Sequence, residues 1–171
     1  MSCRNHTSTQ QSGWTISPPV TTCRLTTSCG QFFFRLYATS SVATFKRREY
    51  GVAPERSVAT GFSMGAGGCY FLLMKHPGEF TRAIVVGAGG MESWAQKLRG
   101  AFYIATGTED QFSSADNAEA LARAIAERGN VVRFEKLVGA DHLQSADMAY
   151  GGDCWEWAFS KKPTANSPTK Q

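Results

Sequence analysis

Gly61-Phe62-Ser63-Met64-Gly65 decides how this chain is read. Before it, Arg56 to Thr60 predicts a short strand. After it, Met64 to Lys75 predicts a helix that is apolar nearly all round through Tyr70, Phe71, Leu72, Leu73 and Met74. Such a helix must be covered on every side. A G-x-S-x-G pentapeptide between strand and helix carries its serine on a sharp, strained turn with the Oγ exposed. Glycines two residues either side of Ser63 suit that geometry, since backbone passing there leaves no room for a Cβ. The alternative is a glycine-rich turn that holds no substrate, and the rest of the chain must decide between them.

Outward from the pentapeptide the elements alternate. A short helix fits Val42 to Tyr50, closed by Gly51 and Pro54. His76-Pro77-Gly78 stops the helix after Ser63, and Ala83-Ile84-Val85-Val86 is a continuous apolar run of the kind found in a doubly covered parallel strand. Gly87 to Gly90 end that strand, and a short helical piece surrounds Trp94. Ala101 to Thr106 is a further strand, closed by Gly107. Ala118, Leu121, Ala122 and Ile125 recur at helical spacing within Asn117–Arg128, and Gly129 sits where a left-handed cap belongs. In the last strand, Val131 to Val138, one face carries Val132 and Phe134 and the other Arg133 and Glu135, a mixed pattern that suits a sheet edge. Asp153 and Glu156 form a capping box for a terminal helix that buries Trp155, Ala158 and Phe159. Strands and helices alternating in this way predict an α/β fold, with about four parallel strands flanked by helices.

With 171 residues and 42% hydrophobic content the chain supports one domain with a substantial core. Its expected limits are residues 41–162, after a basic Ser/Thr-rich extension over 1–40 and before a disordered tail over 163–171. No apolar run is long enough to span a bilayer. The net charge of +4 is unevenly placed, because residues 1–48 hold six basic side chains and no acid. The remainder carries a balance of −2, which leaves the globular part without a nucleic-acid footprint. Five cysteines without a C-x-x-C pair suggest neither a disulfide framework nor a zinc ribbon, and Cys69 reads as a small core residue. A reducing compartment fits. Residues 1–40 read equally as an organellar transit segment, with Arg35-Leu36-Tyr37-Ala38 resembling a mitochondrial processing site, or as a disordered or artefactual extension. The localisation expected is therefore cytoplasmic or mitochondrial. Phe32-Phe33-Phe34 alternatively belongs to one strand.

A serine hydroxyl is nearly inert at neutral pH, so a nucleophilic Ser63 needs a base, and the base needs an orienting acid. Where such a serine sits on an elbow, acid and then histidine follow it in chain order. Of three histidines, His6 lies in the irregular N-terminus and His76 ends the helix behind Ser63, which leaves His142 after the last strand. Asp110 directly follows the strand closed by Gly107. Glu109 and Asp116 are weaker candidates, Asp116 because it suits the N-terminus of the next helix, and Asp141 reads as a loop carboxylate beside His142. The backbone N–H of Met64 is the expected oxyanion donor; a second has no evident source, because no H-G-G-G stretch precedes Gly61. Val85 to Gly90 look like a dinucleotide fingerprint, but its third small residue would be Glu92; at Gly65-Ala66-Gly67-Gly68 it would be Tyr70. Nucleotide binding is thereby disfavoured.

Val42 to Lys162 resembles the C-terminal half of the α/β-hydrolase superfamily. The likeness is greatest to bacterial-type esterases of the phospholipase/carboxylesterase, polyhydroxybutyrate-depolymerase and predicted-peptidase group. It rests on Tyr50 to Arg56 leading into the pentapeptide, Lys75-His76-Pro77, Gly107-Thr108-Glu109-Asp110, Gly139-Ala140-Asp141-His142 and Trp155 to Ser160. The resemblance implies a serine hydrolase with Ser63, His142 and Asp110 as its triad. It also implies a small-molecule ester or acyl substrate, and neither metal nor organic cofactor. The superfamily's first four strands and oxyanion loop have no counterpart in residues 1–40. A partial fold with its N-terminal strands missing is therefore expected, with an exposed edge at the elbow strand through which copies self-associate. A catalytically impaired remnant or gene-model fragment, acting at most as a binding protein, is the alternative.

Overall fold

The structure, a computed structural model, describes residues 23–24, 49, 51 and 57–165. Five parallel strands form one sheet: β1 (Cys23–Arg24), β2 (Val58–Phe62), β3 (Arg82–Val86), β4 (Ala101–Gly107) and β5 (Val131–Leu137). Their order in space is their order in the chain, and every neighbouring pair is parallel. Among the described residues, four helices and one 3-10 segment accompany the sheet. They are α1 (Met64–Lys75), a 3-10 helix (Glu92–Gln96), α2 (Ala115–Glu127), α3 (His142–Gly151) and α4 (Cys154–Phe159). This is the doubly covered α/β architecture that the alternation predicts.

Successive strand residues point to opposite faces, and each face has its own core. Ala83, Val85, Phe102 and Ile104 pack with Cys69, Tyr70 and Leu73 of α1 and Leu121 and Ile125 of α2. Ile84, Val86, Tyr103 and Ala105 pack with Ala149 of α3 and Trp157 and Ala158 of α4. β3 has no polar face because both faces are covered; Ala83 to Val86 are fully buried. Cys69 and Cys154 are buried thiols, and burial pushes the Cys154 pKa up to about 11.

Several boundaries differ from expectation. β2 begins at Val58 rather than Arg56 and continues through Phe62, because β3 pairs with it as far as Val86. α1 spans Met64–Lys75 as the sequence predicts, with His76 as its C-cap donating its backbone N–H to Leu72 O. α2 begins earlier than Asn117, because Ser114 caps it by accepting from the Asn117 N–H. Asp153 does not form the expected capping box. Its carboxylate turns to Arg133 instead, at 2.8 Å to both guanidinium nitrogens. Arg133 also pairs with Glu135, which accepts from the Tyr103 hydroxyl, so β5, β4 and the start of α4 are tied together.

The elbow strand is not the bare edge expected. Cys23 and Arg24 pair with Ala59 and Thr60, and Val58, Ala59 and Thr60 are only 4%, 4% and 7% exposed. Self-association through an open β2 edge therefore receives no support. The expected helix over Val42–Tyr50, the transit-like stretch and Phe32-Phe33-Phe34 lie outside the described residues, apart from the helical Glu49 and the turn at Gly51. At the other end, Thr164 O accepts from Trp157 Nε1 at 2.7 Å, inside the stretch expected to be a disordered tail. No helix among the described residues is long and apolar enough to cross a membrane.

Candidate active site

Ser63 ends β2 and starts α1 with φ 57° and ψ −122°, the one positive φ at a non-glycine among the described residues. A serine tolerates this left-handed conformation only where its surroundings over-determine it. They do so here. The Ser63 N–H donates to Val86 O at 2.9 Å, pinning the turn to the end of β3. A Cβ on Gly61 would lie 2.2 Å from Gly65 O, so only glycine lets α1 start this close to β2. Met64, the first residue of α1, has an N–H without an acceptor among the described residues, as the first donors of a helix do.

His142 follows β5 and Asp110 follows β4, and the structure brings both to Ser63. His142 Nε2 lies 2.8 Å from Ser63 Oγ, and His142 Nδ1 lies 2.7 Å from Asp110 Oδ2. Asp110 has no exposed side-chain surface, while His142 keeps 14%. The other Asp110 oxygen accepts the backbone N–H groups of Phe112 and Ser113 at 2.8 and 2.9 Å. The carboxylate is therefore fixed by its own turn before it meets the imidazole. Among the weaker acid candidates, Asp116 pairs with Lys136 in the first turn of α2, and Glu109 contributes its backbone N–H to Ala140 O. Asp141 is not merely a loop carboxylate. It caps α3 in a reciprocal box with Gln144, so His142 opens a helix rather than lying in a loop.

Contacts that sequence reasoning did not single out hold this arrangement. Phe62 packs on the His142 ring at 4.6 Å between centroids, and Phe112 approaches the same ring at 5.0 Å. The turn bearing Asp110 is bolted to the loop bearing His142: Thr108 N–H donates to Leu137 O, and Gly139 N–H donates to Thr108 Oγ1. A Cβ on Gly107 would meet Ala140 O at 2.0 Å and Ser145 Oγ at 2.5 Å. The only signal in the sequence for these contacts was the glycine closing β4 and the Asp141-x-x-Gln144 spacing.

Beside Ser63 and His142 opens a cleft of about 490 Å³, walled by Gly87 to Met91, Trp94, Phe112 and the start of α2. The glycines that imitate a dinucleotide fingerprint thus line the cleft. Among the described residues, no cluster of three His, Cys, Asp or Glu side chains is placed to hold a metal ion. Chemically, a hydroxyl aligned with an imidazole that is aligned with a buried carboxylate can transfer the hydroxyl proton as the oxygen attacks.

No protein-family model and no curated protein matches the sequence. Solved structures do. A thermostable esterase superposes with a TM-score of 0.66 at 26% identity, over 72% of this chain and 36% of its own. SOBER1 of Arabidopsis thaliana gives 0.55 at 16% identity, over 65% and 56%. A protein of unknown function from Agrobacterium tumefaciens, assigned provisionally to the α/β hydrolases, gives 0.59 at 18%, over 71% and 57%. The chain thus spans between about a third and somewhat over half of the length of these structures. With its parallel sheet and strand-to-helix elbow, the chain carries part of the α/β-hydrolase fold and is related in structure to esterases and hydrolases of that superfamily.

Proposed function

We propose that the chain is a serine hydrolase that cleaves a carboxylic ester or related acyl bond through a covalent acyl-enzyme. The observation that carries this reading is the continuous line from Asp110 Oδ2 through both nitrogens of His142 to Ser63 Oγ. In the proposed reaction Ser63 Oγ attacks the carbonyl carbon while its proton passes to His142 Nε2. Asp110 holds the Nδ1–H and stabilises the imidazolium. The Met64 N–H faces the developing oxyanion. Collapse of the tetrahedral intermediate expels the alcohol, which takes the proton from His142. Water then attacks the acyl-enzyme with His142 again as base, releasing the acid and restoring Ser63.

The second reading, a hydrolase-shaped binding protein with little turnover, is favoured by one observation. No H-G-G-G stretch precedes Gly61, so beside Met64 the sequence names no second oxyanion donor. One absent donor is worth about 10²–10³ in rate. Labelling with a fluorophosphonate probe separates the two readings. The hydrolase reading expects covalent modification of the purified protein that disappears in Ser63→Ala. Folded wild-type protein that stays unlabelled refutes it and leaves the binding reading.

A further inference from the structure

Resting on the hydrolase reading of Ser63, we infer that the adjoining cleft selects an uncharged group on one flank of the scissile bond, with Trp94 setting how large that group can be. Among the described residues, no Asp, Glu, Lys or Arg lines the cleft, and the one titratable lining residue is His142 itself. Met91, Trp94 and Phe112 give it an apolar side. Ser113, Ser114 and Asn117 give it a neutral polar side at the start of α2. On α2, Asp116 and Glu119 both pair with Lys136. A carboxylate or ammonium entering this cleft would lose water on the walled side and find no counter-charge. A neutral group loses nothing comparable and covers apolar surface.

The position of Trp94 is built in. Its ring packs on Tyr70 and Phe71 of α1 at 5.9 and 5.4 Å. It also crosses Gly90 so closely that a Cβ there would lie 2.6 Å from the ring and 2.9 Å from Leu121. The indole is thereby held between α1 and the loop after β3, where it closes one wall of a cleft whose volume lies within the range of small-molecule sites, about 300–1,000 Å³. Removing the indole would deepen that wall without touching Ser63, His142 or Asp110.

Binding is measured calorimetrically in Ser63→Ala, which does not require turnover. The ligands are propyl butyrate, its acyl-charged counterpart monopropyl succinate, and its alcohol-charged counterpart butyrylcholine. Propyl butyrate should bind, and charge on whichever flank occupies the cleft should weaken binding at least about tenfold, the scale on which pockets discriminate small chemical changes. On that same flank, a naphthyl ester should gain about tenfold in affinity when Trp94→Ala is added, and less with Trp94→Phe. Equal binding of all three small esters, or no binding of propyl butyrate, overturns the inference. So does a naphthyl preference indifferent to both Trp94 variants. Failure of the hydrolase reading shows separately, as wild-type protein that binds these esters but neither cleaves them nor takes the fluorophosphonate label.

Discussion

Replacing Asp110 by asparagine changes one atom, and the structure says which way that atom must face. Asp110 Oδ1 accepts two backbone N–H groups, from Phe112 and Ser113, while Oδ2 meets His142 Nδ1. An asparagine there keeps its oxygen on the two N–H donors and turns its NH₂ toward the imidazole. The opposite orientation sets a donor against two donors and forfeits two hydrogen bonds. Leaving even the buried Ser113 N–H unpaired costs about 1–3 kcal/mol, and the pair at least about 2 kcal/mol, a bias of some thirtyfold. With NH₂ facing it, Nδ1 must accept, so Nε2 carries the proton and can no longer take one from Ser63 Oγ. Holding histidine in the wrong tautomer costs about 10⁴ in kcat, equivalent to about 5 kcal/mol. Under the proposed hydrolase reading, kcat for ester cleavage by Asp110→Asn, measured beside its thermal midpoint, should fall by that order with the midpoint little changed. Asp110→Ala should invert the pattern. It abandons the turn and loses about 2 kcal/mol of stability, yet leaves the imidazole free to choose its tautomer and so retains more kcat than asparagine. A folded Asp110→Asn protein within tenfold of wild type would refute the reasoning.

Gly61→Ala places a Cβ 2.2 Å from a backbone oxygen at the start of α1, and thermal unfolding should report a loss of about 3 kcal/mol or more; an unchanged midpoint would contradict the packing described. Phe62→Ala removes the ring beneath His142, a contact worth about 0.5–1.5 kcal/mol, and should lower kcat about three- to tenfold with KM unmoved. The hydrogen bond and charge of Arg133 hold the Asp153 carboxyl below its ordinary pKa of 3.8. A depressed folded-state pKa contributes stability above the unfolded value and loses it as pH falls through the lowered one. Asp153 is 54% exposed, so the contribution is only a few tenths of a kcal/mol, roughly. Chemical denaturation should therefore separate Asp153→Asn from wild type slightly at about pH 6, with the difference shrinking as pH falls through the lowered Asp153 pKa.

What could be read in advance was what is local. α1 was legible from end to end because a serine elbow opens it and His76-Pro77-Gly78 closes it. β3 and β4 announce themselves as apolar runs because both of their faces are covered. α3 gave no such signal. Its buried residues are Ser145 and Ala149, too few and too small to make an apolar stripe, and its one advertisement was the Asp141–Gln144 box. β1 pairs through two residues, a length over which no periodicity exists. The Asp153–Glu156 spacing misleads because the partner of Asp153, Arg133, lies twenty residues away, on β5. The site divides along the same line. Chain order and strand ends nominated Ser63, Asp110 and His142, whereas the packing of Phe62, Phe112 and Gly107 around them depends on which strands become neighbours.

Strand order that equals chain order draws Ser63 from inside the sheet and His142 from beyond β5, which is its outer strand among the described residues. Proteins open locally in cooperative units, and a strand with one neighbour separates more readily than one with two. Peeling β5 and α3 from β4 would carry His142 away while β2, β3 and α1 keep the elbow intact. Reactivity of Ser63 would then be lost at a temperature where most of the helix and sheet signal persists. The ceiling on useful temperature for such a site would then be set by the grip of β4 on β5, through their seven paired residues and the Tyr103–Glu135–Arg133–Asp153 chain of contacts, rather than by the melting of the core.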